Sequence, residues 1–300
     1  MLMIKSFSEL RSRAIEKGPG RCVVAAAADP VTLEALSQAS GEGIAKGILC
    51  GVKEEIEKAA DDAGISLEDF EISDCKASEA ATVAVREVRD NGDFLLKGHL
   101  PTSQFLGAVL DKEQGLRTGR VLSHIAILEA RNLGRLLLIS DGGMNIAPDL
   151  GTKLDIINNA IEVAHSLGIT EPKIALLAAV EKVNPKMPET IEWAEITQMA
   201  ARKQIKGALV DGPLALDLAV SEEAVKIKGV KSEVAGAADI LIVPDIATGN
   251  IFAKGLIYLG GAQACGIVAG AAKPVVMLSR ADDAETKLNS IALGAVASGT

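Results

Sequence analysis

The chain has 300 residues, with 31 Lys and Arg against 40 Asp and Glu, a formal net charge of −9. An acidic balance excludes a duplex nucleic-acid binder, which needs a basic surface. Seven aromatic rings (five Phe, one Tyr, one Trp) are too few for the stacking platforms of a single-strand binder. Apolar residues at 48% and charged residues at 24% fit a globular protein whose core is filled by Ala, Val, Leu and Ile. The segment Met1 to Glu16 lacks the apolar stretch of a secretion signal. No apolar run approaches the roughly 18 residues of a membrane span. Cys22, Cys50, Cys75 and Cys265 form no CxxC pair, which points to reduced, mostly buried thiols and a cytoplasmic location. His99, His124 and His165 stand far apart, so no metal site is expected.

In chain order, Ser6 to Lys17 reads as a helix and Arg21 to Ala28 as a fully apolar strand. Asp29-Pro30 then opens a helix through Leu36, with Asp29 as N-cap and Pro30 in the first turn. A strand at Gly47 to Val52, helices at Lys53 to Ala63 and Ser78 to Asp90, and a strand at Phe94 to Lys97 follow. The second half repeats the theme. Strands are expected at Arg135 to Ser140, Lys173 to Ala178, Ala208 to Val210, Ile240 to Val243 and Pro274 to Leu278. Helices are expected at Leu154 to Leu167, Thr190 to Arg202, Thr248 to Tyr258 and Asp283 to Val296, and a turn at Asp211-Gly212-Pro213. Strand–helix alternation at this spacing predicts βαβ units and mainly parallel sheets. Two α/β domains are expected: residues 1–138 with 288–300, the last helix returning to the first half, and residues 139–287.

Ligands of open parallel sheets bind outside the carboxyl ends of strands, and three polar clusters fall there. In Pro244 to Lys254, a buried strand delivers Asp245. Thr248 is placed to cap the next helix, and Asn250 and Lys254 share a helix face. The plain alternative is a capped helix with a solvated lysine. Ser279-Arg280 offers a hydroxyl and a planar fork for phosphate, unless Arg280 merely pairs with Asp282, Asp283 or Glu285. In Lys97-Gly98-His99-Leu100-Pro101-Thr102-Ser103, Gly98 permits close backbone approach. Thr102 or Ser103 is placed to cap a helix from Gln104 to Leu110, and Arg117 and Arg120 are spaced to converge on one anion. Two surface arginines and a turn would read the same way. No GxGxxG, GxxxxGK[ST] or GxSxG motif occurs, so a standard dinucleotide fold, a phosphate-loop NTPase and a serine-hydrolase elbow are unsupported.

With these residues on the page, the stretch Lys97 to Leu110 followed by Gly115-Leu116-Arg117-Thr118-Gly119-Arg120-Val121-Leu122-Ser123-His124 resembles the butyryl branch of the phosphate acetyl/butyryltransferase family. Ala238-Asp239-Ile240-Leu241-Ile242-Val243-Pro244-Asp245-Ile246-Ala247-Thr248-Gly249-Asn250 is similar to that family's ADxLxxPDxxTGN motif. Gly260-Gly261-Ala262, Lys273-Pro274-Val275 and Leu278-Ser279-Arg280 complete the order.

The resemblance implies an isocitrate/isopropylmalate dehydrogenase-like pair of α/β domains with a cleft between them, assembled as a homodimer or larger homo-oligomer. It implies reversible transfer of a short acyl group, butyryl or branched, between CoA and inorganic phosphate. CoA is then a substrate, and no tightly bound cofactor or metal is called for. Under it, Arg280 holds phosphoryl oxygens, Ser279 hydrogen-bonds the reacting thioester or the departing sulfur, and Arg117, with Arg120 a near alternative, matches the family's catalytic first-domain arginine. Lys97, Thr102, Ser103, Arg120, Asp245, Thr248, Gly249, Asn250 and Lys254 line the phosphate and CoA positions. One departure stands out. Where acetyl-transferring relatives carry an Asp base, seven residues beyond Ser279, this chain has Thr286. Glu285 and Asp283 are the neighbouring carboxylates that would substitute. Acetyl transfer and a non-catalytic acyl-CoA-binding module are the alternatives. A metal- and nicotinamide-dependent dehydrogenase ranks last, because the clusters offer lysines and arginines.

Overall fold

The computed structural model describes residues 2–130, 133–277 and 282–299. Helix α1 (Phe7–Lys17) buries Phe7, Leu10 and Ala14, the spacing of one helical face. It is followed by β1 (Gly20–Ala25), α2 (Pro30–Gly41), β2 (Ala45–Gly51), α3 (Lys53–Ala63), β3 (Glu71–Asp74), α4 (Ala80–Asp90), β4 (Phe94–Lys97) and α5 (Thr102–Val109). Next come β5 (Ser123–Glu129), β6 (Leu136–Ser140), α6 (Leu150–Ser166), β7 (Lys173–Leu177), α7 (Pro188–Ala201) and β8 (Leu209–Leu214). Two short helices, α8 (Leu216–Val220) and α9 (Glu222–Lys228), precede β9 (Ile240–Ile242) and α10 (Ile246–Tyr258). The chain closes with β10 (Gln263–Ala269), β11 (Val275–Met277) and α11 (Ala284–Ala297).

Two compact units emerge, Phe7–Arg120 with Cys265–Thr300 and Met1–Ser6 with Val121–Ala264. These crossings differ from the expected ones at 138/139 and 287/288, and strand pairing explains why. β5 pairs antiparallel with β6, Ala126 opposite Ile139, so it stays with the second half. β11 pairs parallel with β4, Val275 opposite Leu95, so the return to the first half begins before α11.

In the unit containing β1, the strand order is β3-β2-β1-β4-β11-β10. The β1–β2, β2–β3, β1–β4 and β4–β11 pairs are parallel and β10–β11 is antiparallel. Strand β1 is buried along nearly its whole length, as expected of a parallel strand covered on both faces. The order in which successive strands are added reverses at β1, with β2 and β3 on one side and β4 on the other, so the carboxyl ends of β1 and β4 form a switch point. Helix α11 is buried from Leu288 through Val296. Its Gly294 would clash through any Cβ with Phe94 and Val276, which shows how closely the helix lies on β4 and β11. Lys17 of α1 caps the far end of α11, donating to Ala295 O at 2.6 Å, where the helix dipole favours a cation.

The other unit orders its strands β5-β6-β9-β7-β8. All pairs except β5–β6 are parallel. The expected turn at Asp211-Gly212-Pro213 is instead part of β8. Proline is tolerated there because β8 is an edge strand that needs no donor on one side, and the register shifts opposite, between Ala175 and Leu177. Trp193 of α7 is fully buried and donates its indole N–H to Leu177 O at 2.7 Å, fixing α7 to the end of β7. Among the described residues no helix is long and apolar enough to cross a membrane.

Candidate functional site

Each unit gathers its own share of the expected site residues at strand carboxyl ends. In the first unit, β1 and β4 end side by side. The Gly98 N–H donates to Ala25 O and the His99 N–H to Ala26 O, both at 2.9 Å. A Cβ on Gly98 would overlap the carbonyls of Ala25 and Ala26, so only glycine permits this approach. Ala26 itself takes a left-handed φ of 54°, a costly conformation for a residue with a side chain. Lys97 is delivered at this point, half-buried, with its Nζ 3.3 Å from Gly98 O. Thr102 and Ser103 are exposed in the first turn of α5. Neither caps the helix, because α5 already begins at Thr102 and its N-cap is Pro101.

Arg117 is exposed and forms an antiparallel bridge with Ala271. On either side, Leu116 O accepts from Ala272 N at 2.8 Å and Thr118 donates its hydroxyl to Gly270 O at 2.6 Å. Gly119 at φ 94° turns the chain before Arg120. The segment carrying both arginines is thus stitched to the β10–β11 connection. Ser279 and Arg280 lie outside the described residues.

The two carboxylates considered as bases have other partners. Glu285 forms an ion pair with Arg11 at 2.9 Å. Asp283 is the N-cap of α11, accepting from Thr286 N at 2.7 Å. Hydrogen bonds from the Thr286 N–H and hydroxyl hold its carboxyl below the ordinary range, which makes it a poorer proton acceptor.

In the second unit, the ends of β6 and β9 meet the start of α10. Asp245, not Thr248, is the N-cap, accepting from Thr248 N at 2.7 Å. The helix therefore starts two residues earlier than expected, and Thr248 is an exposed first-turn residue. Asp245→Ala should lower stability by about 1 kcal/mol, measured by urea unfolding.

Gly249 and Gly142 lie back to back. A Cβ on Gly249 would fall 2.7 Å from Gly142 Cα and 2.9 Å from Val243 Cγ2. Asn250 reaches across and donates its side-chain amide to Gly142 O at 3.1 Å. Lys254, one turn on, is exposed. The first turn of α10 thus brings Asp245, Thr248, Gly249 and Asn250 together, with backbone N–H groups suited to an anion.

The loop after β6 was not among the expected site residues. Asp141 is 3% exposed. It accepts from the backbone N–H groups of Gly143, Met144 and Asn145 at 2.8 to 3.1 Å and from the Asn145 side chain at 2.6 Å. This carboxylate organises the turn that carries Gly142 against α10. An Asp followed by two glycines directly after a buried strand was the available signal.

A cavity of about 700 Å³ opens beside the same helix start, with Asp245 and Thr248 on its wall. Lys153 also lines it. Its side chain is 5% exposed, ion-paired with Glu192 and set 4.8 Å from the centroid of the Trp193 ring. Here too a signal existed, because Lys153 precedes the buried residues Ile156, Ile157 and Ala160 on the core face of α6. Among the described residues no three His, Cys, Asp or Glu are grouped to hold a metal ion. Burial pushes the Cys22 thiol up and the Cys50 thiol up to about 12, so neither supplies a thiolate nucleophile.

Two α/β units thus present glycine-lined strand ends, a capped helix start and the exposed cations Arg117 and Lys254. Residues 76–295 match the family described as Phosphate acetyl/butaryl transferase, and the chain belongs to that family. It is 47% identical over 299 residues to the phosphate butyryltransferase of Clostridium acetobutylicum, covering 99% of both chains. It is 44% identical over 282 residues to the phosphate acetyltransferase of Thermotoga maritima, covering 93% of this chain and 96% of that one. A branched-chain phosphotransacylase from Enterococcus faecalis V583 superimposes with a TM-score of 0.83 at 35% identity, covering 93% of this chain and 99% of the other.

Proposed function

We propose that this chain is a phosphate acyltransferase that converts acyl-CoA and inorganic phosphate to acyl phosphate and CoA, reversibly, with butyryl or branched short acyl groups preferred. The observation that carries the reading is the near full-length similarity to the Clostridium acetobutylicum phosphate butyryltransferase, together with a TGN segment whose glycine and asparagine are fixed against Gly142. The comparable identity to the Thermotoga maritima phosphate acetyltransferase makes acetyl transfer the second reading.

In the proposed chemistry a phosphate oxygen attacks the thioester carbonyl. The carbonyl π pair moves to oxygen, and its return expels the CoA thiolate, which takes up a proton. Arg280 and Arg117 hold the phosphate, and Ser279 hydrogen-bonds the thioester. Lys97, Arg120 and the first turn of α10 supply the remaining anion contacts. Placing two anions together is the main task, and fixed cations and N–H groups accomplish it without reorganising during the reaction. An isocitrate/isopropylmalate dehydrogenase-like architecture, a homodimer or larger homo-oligomer and a cytoplasmic location belong to the same reading.

The reading assigns no general-base role to α11. Glu285 is engaged by Arg11, Asp283 caps the helix, and Thr286 stands at the position of the family's Asp. Glu285→Gln is therefore expected to leave turnover within about twofold, while an exposed ion pair worth under about 1 kcal/mol is lost. A rate loss of about a hundredfold or more would restore Glu285 as the base. The function itself is tested by thiol release from acetyl-, propionyl-, butyryl- and isobutyryl-CoA with and without phosphate. Phosphate-dependent release, fastest with the four-carbon esters, supports the reading. Faster release with acetyl-CoA favours the second, and binding without release favours a non-catalytic module.

A further inference from the structure

We infer that Asn145 is a positioning residue for the transfer, holding the first turn of α10 in place through the loop that follows β6. The inference rests on the proposed acyltransferase function and adds a residue that acts through Gly249 and Asn250. Asn145 closes the run Asp141-Gly142-Gly143-Met144-Asn145. Among the described residues, 142–145 make no backbone–backbone hydrogen bond. The shape of this loop is therefore set by side chains, through the Asp141 carboxylate and the Asn145 amide.

Helix α10 hangs on both ends of that loop. The Ile246 N–H, at the start of the helix, donates to Ile146 O at 3.1 Å. Asn250, one turn on, donates its side chain to Gly142 O at 3.1 Å, and Gly249 packs on Gly142. The positions of residues 142 and 146 thus decide where Gly249 and Asn250 stand. A site of this kind loses about a hundredfold in rate for a displacement near 1 Å.

Asn145 ties the loop to the rest of its unit. The side-chain amide has two hydrogens to give. One goes to Asp141 Oδ2 at 2.6 Å and the other to Leu122 O at 2.8 Å, so the group cannot turn without losing a bond. Leu122 is a firm anchor. It is buried, and its neighbours on both sides are gripped by α6. Asp155 accepts from Val121 N at 3.0 Å, and Asn159 donates to Val121 O at 3.0 Å and to Ser123 Oγ at 2.9 Å. The residue type follows from the partners, a carboxylate and a carbonyl that each need a donor. Alanine supplies neither donor, and aspartate would set a second carboxylate against Asp141.

Asn145→Ala in the full chain releases Leu122 O and leaves the loop held at Asp141 alone. It is expected to raise the KM for phosphate roughly tenfold and to lower kcat by about the same factor. The KM for butyryl-CoA should stay within about twofold. Hydrogen exchange at the Ile246, Thr248 and Gly249 amides should quicken, with that of β7 and β9 unchanged. Asn145→Ser, which keeps one short donor, should fall between the parent chain and Asn145→Ala. A merely architectural role would lower Tm and leave the kinetic constants as in the parent, and that result overturns the inference. A loss of rate with unchanged exchange at α10, or a rise confined to the KM for butyryl-CoA, overturns it by placing Asn145 at the substrates. If Asn145→Ala does not fold, Asn145→Ser is read in the same way. A serine variant that does not fold either assigns Asn145 to the architecture and overturns the inference. All these outcomes leave the proposed function standing, whereas absence of phosphate-dependent turnover by the parent chain with any acyl-CoA overturns both.

Discussion

Arg280→Ala is expected to lower kcat for phosphate-dependent thiol release by about 10²- to 10³-fold, with an unchanged circular dichroism spectrum. The attacking phosphate and the developing oxyanion are both negative, and a guanidinium binds two oxygens at once through a planar fork. Lysine carries the charge without the fork, so Arg280→Lys should recover only part of the rate. On the proposed role, in which Arg280 holds the reacting oxygens, the loss should fall on kcat more than on the KM for acyl-CoA. A variant with full activity would remove Arg280 from the chemistry and shift the weight of the proposal to Arg117.

The second large effect is expected at Gly249, where the cause is steric. Gly249→Ala puts a Cβ 2.7 Å from Gly142 Cα, 2.9 Å from Val243 Cγ2 and 3.0 Å from Asp141 O. Two of these three neighbours are backbone, and Asp141 is tied down by its hydrogen bonds to the turn. The start of α10 must therefore move, at a cost of about 1–3 kcal/mol in stability. Asn250 moves with it and loses its bond to Gly142 O. Activity should fall by about a hundredfold, since a displacement near 1 Å is enough to spoil positioning. Urea unfolding with a parallel activity assay checks both effects. A stable Gly249→Ala variant with normal turnover would show that the close contact of the two loops is unimportant for the reaction.

A smaller effect concerns acid stability. Asp283 and Asp149 cap α11 and α6, and hydrogen bonds from Thr286 and Thr152 lower both carboxyls. A lowered folded value means that the stabilisation is fully present above the ordinary carboxylate range. It is lost as pH falls through the folded value. Asp283→Asn should therefore narrow the gap in Tm from the parent chain between pH 5 and pH 3, in steps that follow the protonation of Asp283. A gap that widens on acidification would contradict the capping role.

Much of the architecture was legible because the chain alternates apolar strands with amphipathic helices. Lys53–Ala63 and Phe94–Lys97 carry their boundaries on their faces, with Gly64 ending α3 at φ 68° and Gly98 ending β4. What was not legible depends on pairing between distant segments. β5 and β10 are antiparallel members of otherwise parallel sheets, and nothing local in their sequences announces that orientation. The edge position of β8, which admits Pro213, is likewise set by topology. At the site, residue types marked Asp245, Gly249 and Asn250. The contact of Gly249 with Gly142 joins positions more than a hundred residues apart, and only the fold brings them together. Thr248 was misjudged as the cap because Asp245, three residues earlier, captures the free N–H groups first. Lys153 escaped notice because its partners Glu192 and Trp193 come from another helix.

The most direct test of the account is to incubate the purified chain with butyryl-CoA and inorganic phosphate and to follow thiol and acyl phosphate together, the latter by phosphorus NMR. The account predicts equimolar CoA thiol and butyryl phosphate, with neither formed when phosphate is left out. Thiol release that does not need phosphate, or release without acyl phosphate, would mark hydrolysis rather than transfer and contradict it.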